Sequence, residues 1–236
     1  MTTPQQHAFW LKFHRFQMRY ELMYHTKIDK ALKEQVQQYL QSNNITDIHS
    51  GGLYPVLLDL YKNTGSAWAY HTRSMMRVQK AGGQMGFSQR IVQFMQQYFS
   101  IDLLNVVETI TATTKRLIGE VLAEAALEGW SFDEIVRKLE SPDFTAIRAR
   151  LIARTETVNA ANAGSMINAK LAGARSKIWI AARDNRTREH HKEVNQSIVP
   201  IEGKFTVGGY LMDHPGDKNG GAAEVCNCRC AVGFIP

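Results

Sequence analysis

The sequence predicts an α+β protein, a mostly helical N-terminal body followed by a small C-terminal antiparallel β-rich module. Three observations carry this. Apolar residues recur at helical spacing over most of the first 173 positions. Long stretches there run without the Gly/Pro punctuation of a β protein. After Gly173 the pattern shortens into apolar and β-branched runs of strand length, as in "KIWIAAR" and "SIVP". The expected division is a helical body over 1–144, then a long helix plus the β-rich module over 145–236.

The first helix rests on Phe9, Phe13, Phe16, Tyr20 and Met23, at spacings of four and three, continued after a phase shift by Ile28, Leu32, Val36 and Tyr39. "NNITDIHSGGLYP" breaks it. A second helix is expected over 66–80, opened by Ser66, and "AGGQMGFS" (81–88) reads as another breaker. Ser88 then caps a helix through Tyr98, and 102–128 forms a further one ending at Gly129. Ser131 and Glu134 have the spacing of a capping box for "FDEIVRKLE". Pro142 closes that segment, and Thr145 begins the last long helix, which stops at Gly173. The Ala, Gly and Ser content of that helix allows close backbone packing. In the module, strands are expected at "KIWIAAR", at two short runs joined around Glu202–Gly203, and at "EVCNCRCAVGFI", with "HPGDKNGG" as a loop.

With 44% hydrophobic and 21% charged residues in 236, the chain has the balance of a folded globular protein. No run is apolar enough to span a bilayer, and no secretory signal is visible, so the thiols are expected to meet a reducing compartment. The net charge of +6 is concentrated: ten basic and three acidic residues lie between Arg148 and Lys192. Such a segment attracts polyanions. Arg148, Arg150, Arg154, Lys170, Arg175 and Lys177 are the candidate contacts to double-stranded DNA. The plainer alternative is a solvated helix face and a charged loop.

All three cysteines, Cys226, Cys228 and Cys230, fall within five residues. In an extended strand they share one face, with Asn227 and Arg229 on the other. Two of them with a histidine suit zinc, a borderline-soft ion. The spacing is not a usual zinc pattern, and buried thiols serving as small apolar groups remain an open alternative. "RDNRTREHH" places Asp184, Arg188, His190 and His191 in one turn-sized stretch. Histidine for proton transfer and arginine for charge stabilisation permit a nuclease-like reading with Asp184, Arg188 and His191 as catalytic residues. The common phosphate-loop, serine-elbow and zinc-protease signatures are absent.

One ordered series is more specific. "ARTE" at 153–156, Trp179, "D-x-R-T-R-x-x-H" at 184–191, Phe205, "HPGD" at 214–217 and "NCRC" at 227–230 follow in sequence. Over about 145–233 the chain resembles the phage Mu F-like minor head protein family, also described as head-morphogenesis proteins. Within the motif the matching positions are Asp184, Arg188, His191, Cys228 and Cys230, and these are expected to form one cluster that fixes the module. Cys226 takes a usually aliphatic position and His190 is extra. The resemblance implies a non-enzymatic protein of the virion, in the head interior or at the portal, assembled in the host cytoplasm. Its implied partners are the portal protein and capsid interior, with packaged or ejected DNA a further contact and no membrane. Zinc at His191, Cys228 and Cys230 is the one cofactor considered. Some relatives carry a toxin or enzyme domain after the module, and none is expected in this sequence, which stops at Pro236.

Overall fold

In the computed structural model, residues 1–75 and 84–235 are described, the side chains of 75, 84–92 and 94–101 excepted. Five α-helices come first: α1 (Thr3–Ser42), α2 (Leu53–Met75), α3 (Gln84–Glu128), α4 (Phe132–Leu139) and α5 (Pro142–Leu171). The module follows as β1 (Ser176–Ile180), α6 (Glu189–Glu193), β2 (Ile198–Pro200), β3 (Phe205–Val207), β4 (Tyr210–Met212), α7 (Gly221–Val225) and β5 (Ala231–Ile235). The body is helical and the module is a small antiparallel β unit, as the fold class required.

The buried face of α1 needs no phase shift. Gln17, Glu21 and Tyr24 bridge Phe13 to Ile28, while Met23 is exposed. Polar residues occupy part of the core-facing stripe: Glu21 meets Arg150 and Arg154 of α5, and Tyr24 meets Asp59 of α2.

α2 begins thirteen residues earlier than Ser66 indicated, at Leu53. Pro55 does not block it, because the first helical turn has no intrahelical partner for the N–H that proline lacks. Of the breaker at 81–88, the last five residues belong to α3, and 81–83 lie outside the described residues, as do 76–80 of the expected second helix. α3 is one helix where two were expected. A helical glycine such as Gly86 costs about 1 kcal/mol, which a helix of 45 residues absorbs. The left-handed Gly129 ends it, and the Ser131–Glu134 capping box opens α4.

α5 is the axis of the molecule. From Thr155 to Ala169 every side chain is buried, between α1 and α2 on one side and the module on the other. A Cβ on Gly164 would come within 2.3 Å of the Gly65 carbonyl oxygen, so the two helices cross with their backbones in contact.

The three-stranded sheet has the order β2-β1-β5, antiparallel throughout, with Trp179 opposite Val232. The last strand thus pairs with the strand through Trp179. A separate hairpin joins β3 and β4 through Gly208 and Gly209, both left-handed. The turn at Glu202–Gly203 therefore links β2 to the hairpin and does not join paired strands. "EVCNCRC" is also not a strand: α7 ends at Val225, Asn227 is left-handed, and β5 starts only at Ala231.

One core unites α1 with the module. Phe9, Trp10 and Phe13 pack with Trp68, Trp179, Phe205, Val232 and Phe234. Trp10 Nε1 donates to the Arg229 carbonyl at 3.1 Å, tying the first helix to the segment before the last strand.

Candidate metal centre

Arg188 precedes α6, and α6 carries His191 inward beneath Trp179, ring to ring at 5.5 Å. The turn at Asn227 swings Cys228 and Cys230 toward the same point. Both thiols and the histidine are buried. His191 Nδ1 stands 3.4 Å from Cys230 Sγ and 3.7 Å from Cys228 Sγ. The three donor atoms all lie within 4.8 Å of one another. Cys226 is exposed and takes no part.

These separations suit a shared cation. A nitrogen and a sulfur bound to one tetrahedral zinc stand about 3.6 Å apart, from bond lengths of about 2.1 and 2.3 Å. The outer shell fits as well. Glu224 Oε2 lies 3.1 Å from His191 Nε2, the carboxylate support that metal-bound histidines commonly have. The same carboxylate reaches His190 Nδ1 at 2.9 Å through its other oxygen. Backbone N–H groups point at the sulfurs: Ala182 N donates to Cys230 Sγ and Cys230 N to Cys228 Sγ, both at 3.4 Å. Hydrogen bonding to Cys230 pulls the Cys228 thiol well below its ordinary range, and His191 assists against burial. Burial and the Cys228 charge push Cys230 up. The donor set thus offers a histidine and two thiols that would lose their protons to a metal.

Asp184 and Arg188 belong to different contacts. The Asp184 carboxylate accepts from the Arg186 N–H at 3.0 Å and holds the Arg229 guanidinium at 2.7 Å. Thr187 Oγ1 donates to the Ala182 carbonyl at 2.6 Å, closing this loop. Arg188 Nη2 donates to the Cys226 carbonyl at 2.6 Å. The five motif residues therefore form a His191–Cys228–Cys230 centre with flanking braces, and not one cluster. Nor do they form a nuclease site. His191 is enclosed by two thiols and Glu224, and its suggested partners face elsewhere.

Asn162, which sequence reasoning missed, fastens the module to α5. Its Nδ2 donates to the carbonyls of Pro215 (2.9 Å) and Cys230 (3.1 Å), and its Oδ1 accepts from Val232 N (3.0 Å). Glu224 was missed too. An asparagine inside an Ala-rich helix, where asparagine is a poor former, was the available signal for the first. Nothing marked Glu224, whose partner lies 33 residues away. "HPGD" is a structural corner. Left-handed Gly216 lies against the backbone of Asn159, and Asp217 accepts from Asp213 N at 2.6 Å. Glu156 of "ARTE" is buried and accepts from Tyr61, and burial raises its carboxyl above the usual range despite Lys218 and Tyr61.

The basic segment does not form one surface. Lys177 is corrected: its side chain is fully enclosed, near Asp213 and over the Phe205 ring, and cannot reach a DNA backbone. Arg148 is half-buried and spends its guanidinium on Thr114 and the Ile110 carbonyl. Arg150 and Arg154 both bond Glu21, whereas Lys170 pairs with Glu202 about 24 Å further along the helix. Arg175 is exposed.

The family described as "Phage Mu protein F like protein" matches residues 116–233, half of the chain. The chain belongs to that family. Among curated proteins it is 27% identical to the "Minor head protein GP7" of Bacillus phage SPP1, over 65% of this chain and 53% of the relative. It is 34% identical to the "NAD(+)--arginine ADP-ribosyltransferase EFV" of Enterococcus faecalis (strain ATCC 700802 / V583), over 44% of this chain and 22% of that protein. The chain thus spans about half the length of the first relative and about a fifth of the second. No solved structure matches. Among the described residues no helix is long and apolar enough to cross a membrane.

Proposed function

We propose that this protein is a minor head protein that docks at the portal and faces the head interior, with zinc held by His191, Cys228 and Cys230. The single observation that carries the role is the family match over the whole module. The zinc reading rests on three buried donors, the histidine nitrogen 3.4 and 3.7 Å from the two sulfurs, with Glu224 behind the histidine. A bound zinc would join α6 to the segment before β5 and so lock the module's two halves. In this reading residues 1–144 supply the docking body, and 145–236 supply the long helix with the β-rich module packed on it. Arg150, Lys170 and Arg175 are the exposed bases left to meet packaged DNA.

The test is co-expression with the portal protein of the same phage, followed by purification through a tag on the portal. Stoichiometric recovery of this chain supports docking, and its absence from intact portal rings rejects it. Elemental analysis of protein prepared in reductant without chelator tests the metal. About one zinc per chain is expected, and none would leave the centre as packed thiols. DNA contact predicts binding that weakens steeply with salt.

A further inference from the structure

"NCRC" has two sides. Cys228 and Cys230 turn toward His191, while Asn227 and Arg229 turn toward α1 and α5. There Arg229 enters a concavity of about 470 Å³, in the size range of small-ligand sites. Arg150, Arg154 and Arg186 line it with Arg229, and His14 and Gln17 of α1 form the opposite wall.

The charge is not balanced within the site. Glu21 neutralises one guanidinium equivalent by bonding Arg150 (3.1 Å) and Arg154 (2.7 Å). Asp184, behind the wall, holds Arg229 and approaches Arg186. Two positive charges remain in excess over these two carboxylates. Arg229 is nearly enclosed, with Arg186 and Arg154 close enough to repel it.

Several donors at the site lack partners. Gln17 is 1% exposed, yet neither its Nε2 nor its Oε1 has a hydrogen-bond partner. Arg229 Nε and His14 Nδ1 are also buried and unpartnered. Buried polar groups in folded proteins are normally satisfied, and a cluster of exceptions lining one cavity needs a cause. An anion offering several acceptor oxygens would satisfy the donors and cancel the excess charge together. Arginine forks match phosphate geometry in particular. Met18 and Leu22, both exposed, give the rim an apolar edge suited to the carbon part of an ester.

The geometry points to a phosphate-binding pocket between α1 and the module, built on Arg150, Arg154, Arg186 and Arg229 with Gln17. Its ligand is a phosphate group, carried by a free polyphosphate or by a nucleic-acid backbone. The pocket is independent of the head-protein reading, because it rests on side-chain chemistry alone.

Calorimetric titration of the full chain with pyrophosphate, and separately with a DNA strand of about twelve nucleotides, tests it at about 0.15 M salt. Arg186 is 68% exposed in its side chain, so Arg186→Ala spares the fold. It should weaken binding about tenfold, the effect of one charge-assisted contact, while Arg137→Ala, exposed on α4 and outside the pocket, leaves it unchanged. Gln17→Leu should weaken binding too, with the thermal melt preserved. Binding of pyrophosphate alone supports a free ligand, and binding of the strand alone supports nucleic acid. Binding of both supports recognition of phosphate as such. Failure of the folded wild type to bind either probe overturns the pocket, as does equal weakening by Arg186→Ala and Arg137→Ala. Portal recovery should be the same for Arg186→Ala and wild type, so the two readings fail separately.

Discussion

The two sides of residues 227–230 are built oppositely. On the His191 side every donor has a neighbour: the thiols meet the histidine and backbone N–H groups, and the histidine meets Glu224. On the Arg229 side charges crowd together and polar atoms go unpaired. Burial is satisfied in the first and left costly in the second. A closed, satisfied cluster stabilises a fold, while an open, unsatisfied one is maintained at a cost to stability. The proposed metal centre and the proposed phosphate pocket thus lie on opposite sides of a single short stretch.

The largest expected effect breaks the satisfied side. Removing metal with a chelator should lower the melting temperature by about 10 °C or more, because a structural metal's binding energy is folding energy. His191→Ala should melt low with or without chelator. A melt that chelator leaves unmoved in the wild type would show a centre held by packing alone.

Next comes the clamp behind that centre. Asn162→Ala takes its side-chain bonds from the Cys230 carbonyl and the Val232 N–H, and one of two from the Pro215 carbonyl, which keeps His214. A loss of about 2–4 kcal/mol is expected in urea unfolding. A loss below half of that would mean the module holds to α5 by apolar packing.

A smaller effect belongs to the open side and depends on pH. Burial would raise the Glu21 carboxyl, but Arg154 and Arg150 outweigh it and hold it below its ordinary 4.5. A lowered folded value means that Glu21 contributes stability above pH 4.5 and loses it as pH falls through the folded value. Glu21→Gln should therefore cost about 1–2 kcal/mol at pH 7 and progressively less as pH is lowered below 4.5, by urea unfolding across that range. A cost independent of pH would mean that shape, and not charge, matters at this position.

The smallest effect sharpens the contrast. Gln17→Leu should leave stability within about 1 kcal/mol of wild type, or raise it, since its amide makes no bond to lose. A clear loss would reveal that Gln17 is satisfied in solution.

Local features were legible in the sequence. The capping box at Ser131, the glycine stop at Gly129 and the strand through Trp179 depend on short-range chemistry. The division of the three cysteines into a buried pair and an exposed bystander came from the family resemblance. Other features depend on partners far along the chain. Alternation at Cys226, Cys228 and Cys230 imitates a strand, but the left-handed Asn227 and the preceding α7 give the pair its aim by other means. The hairpin was assigned to Glu202–Gly203 because one Gly turn resembles another, and only the pairing of Val207 with Tyr210 separates them. The arginine pocket joins residues 17, 150, 186 and 229, and no window of sequence contains them. Polar positions in the α1 stripe were its one trace, and they read as a phase shift.

The bond between Trp10 and the Arg229 carbonyl spans 219 positions. Its consequence lies in time. A contact between residues 10 and 229 cannot form until residue 229 has left the ribosome. Through most of synthesis Phe9, Trp10 and Phe13 therefore lack the strand that covers them. Contacts of such separation form late and leave apolar surface open to association meanwhile. The apolar face of α1 therefore waits for the module until a segment 219 residues later has been made.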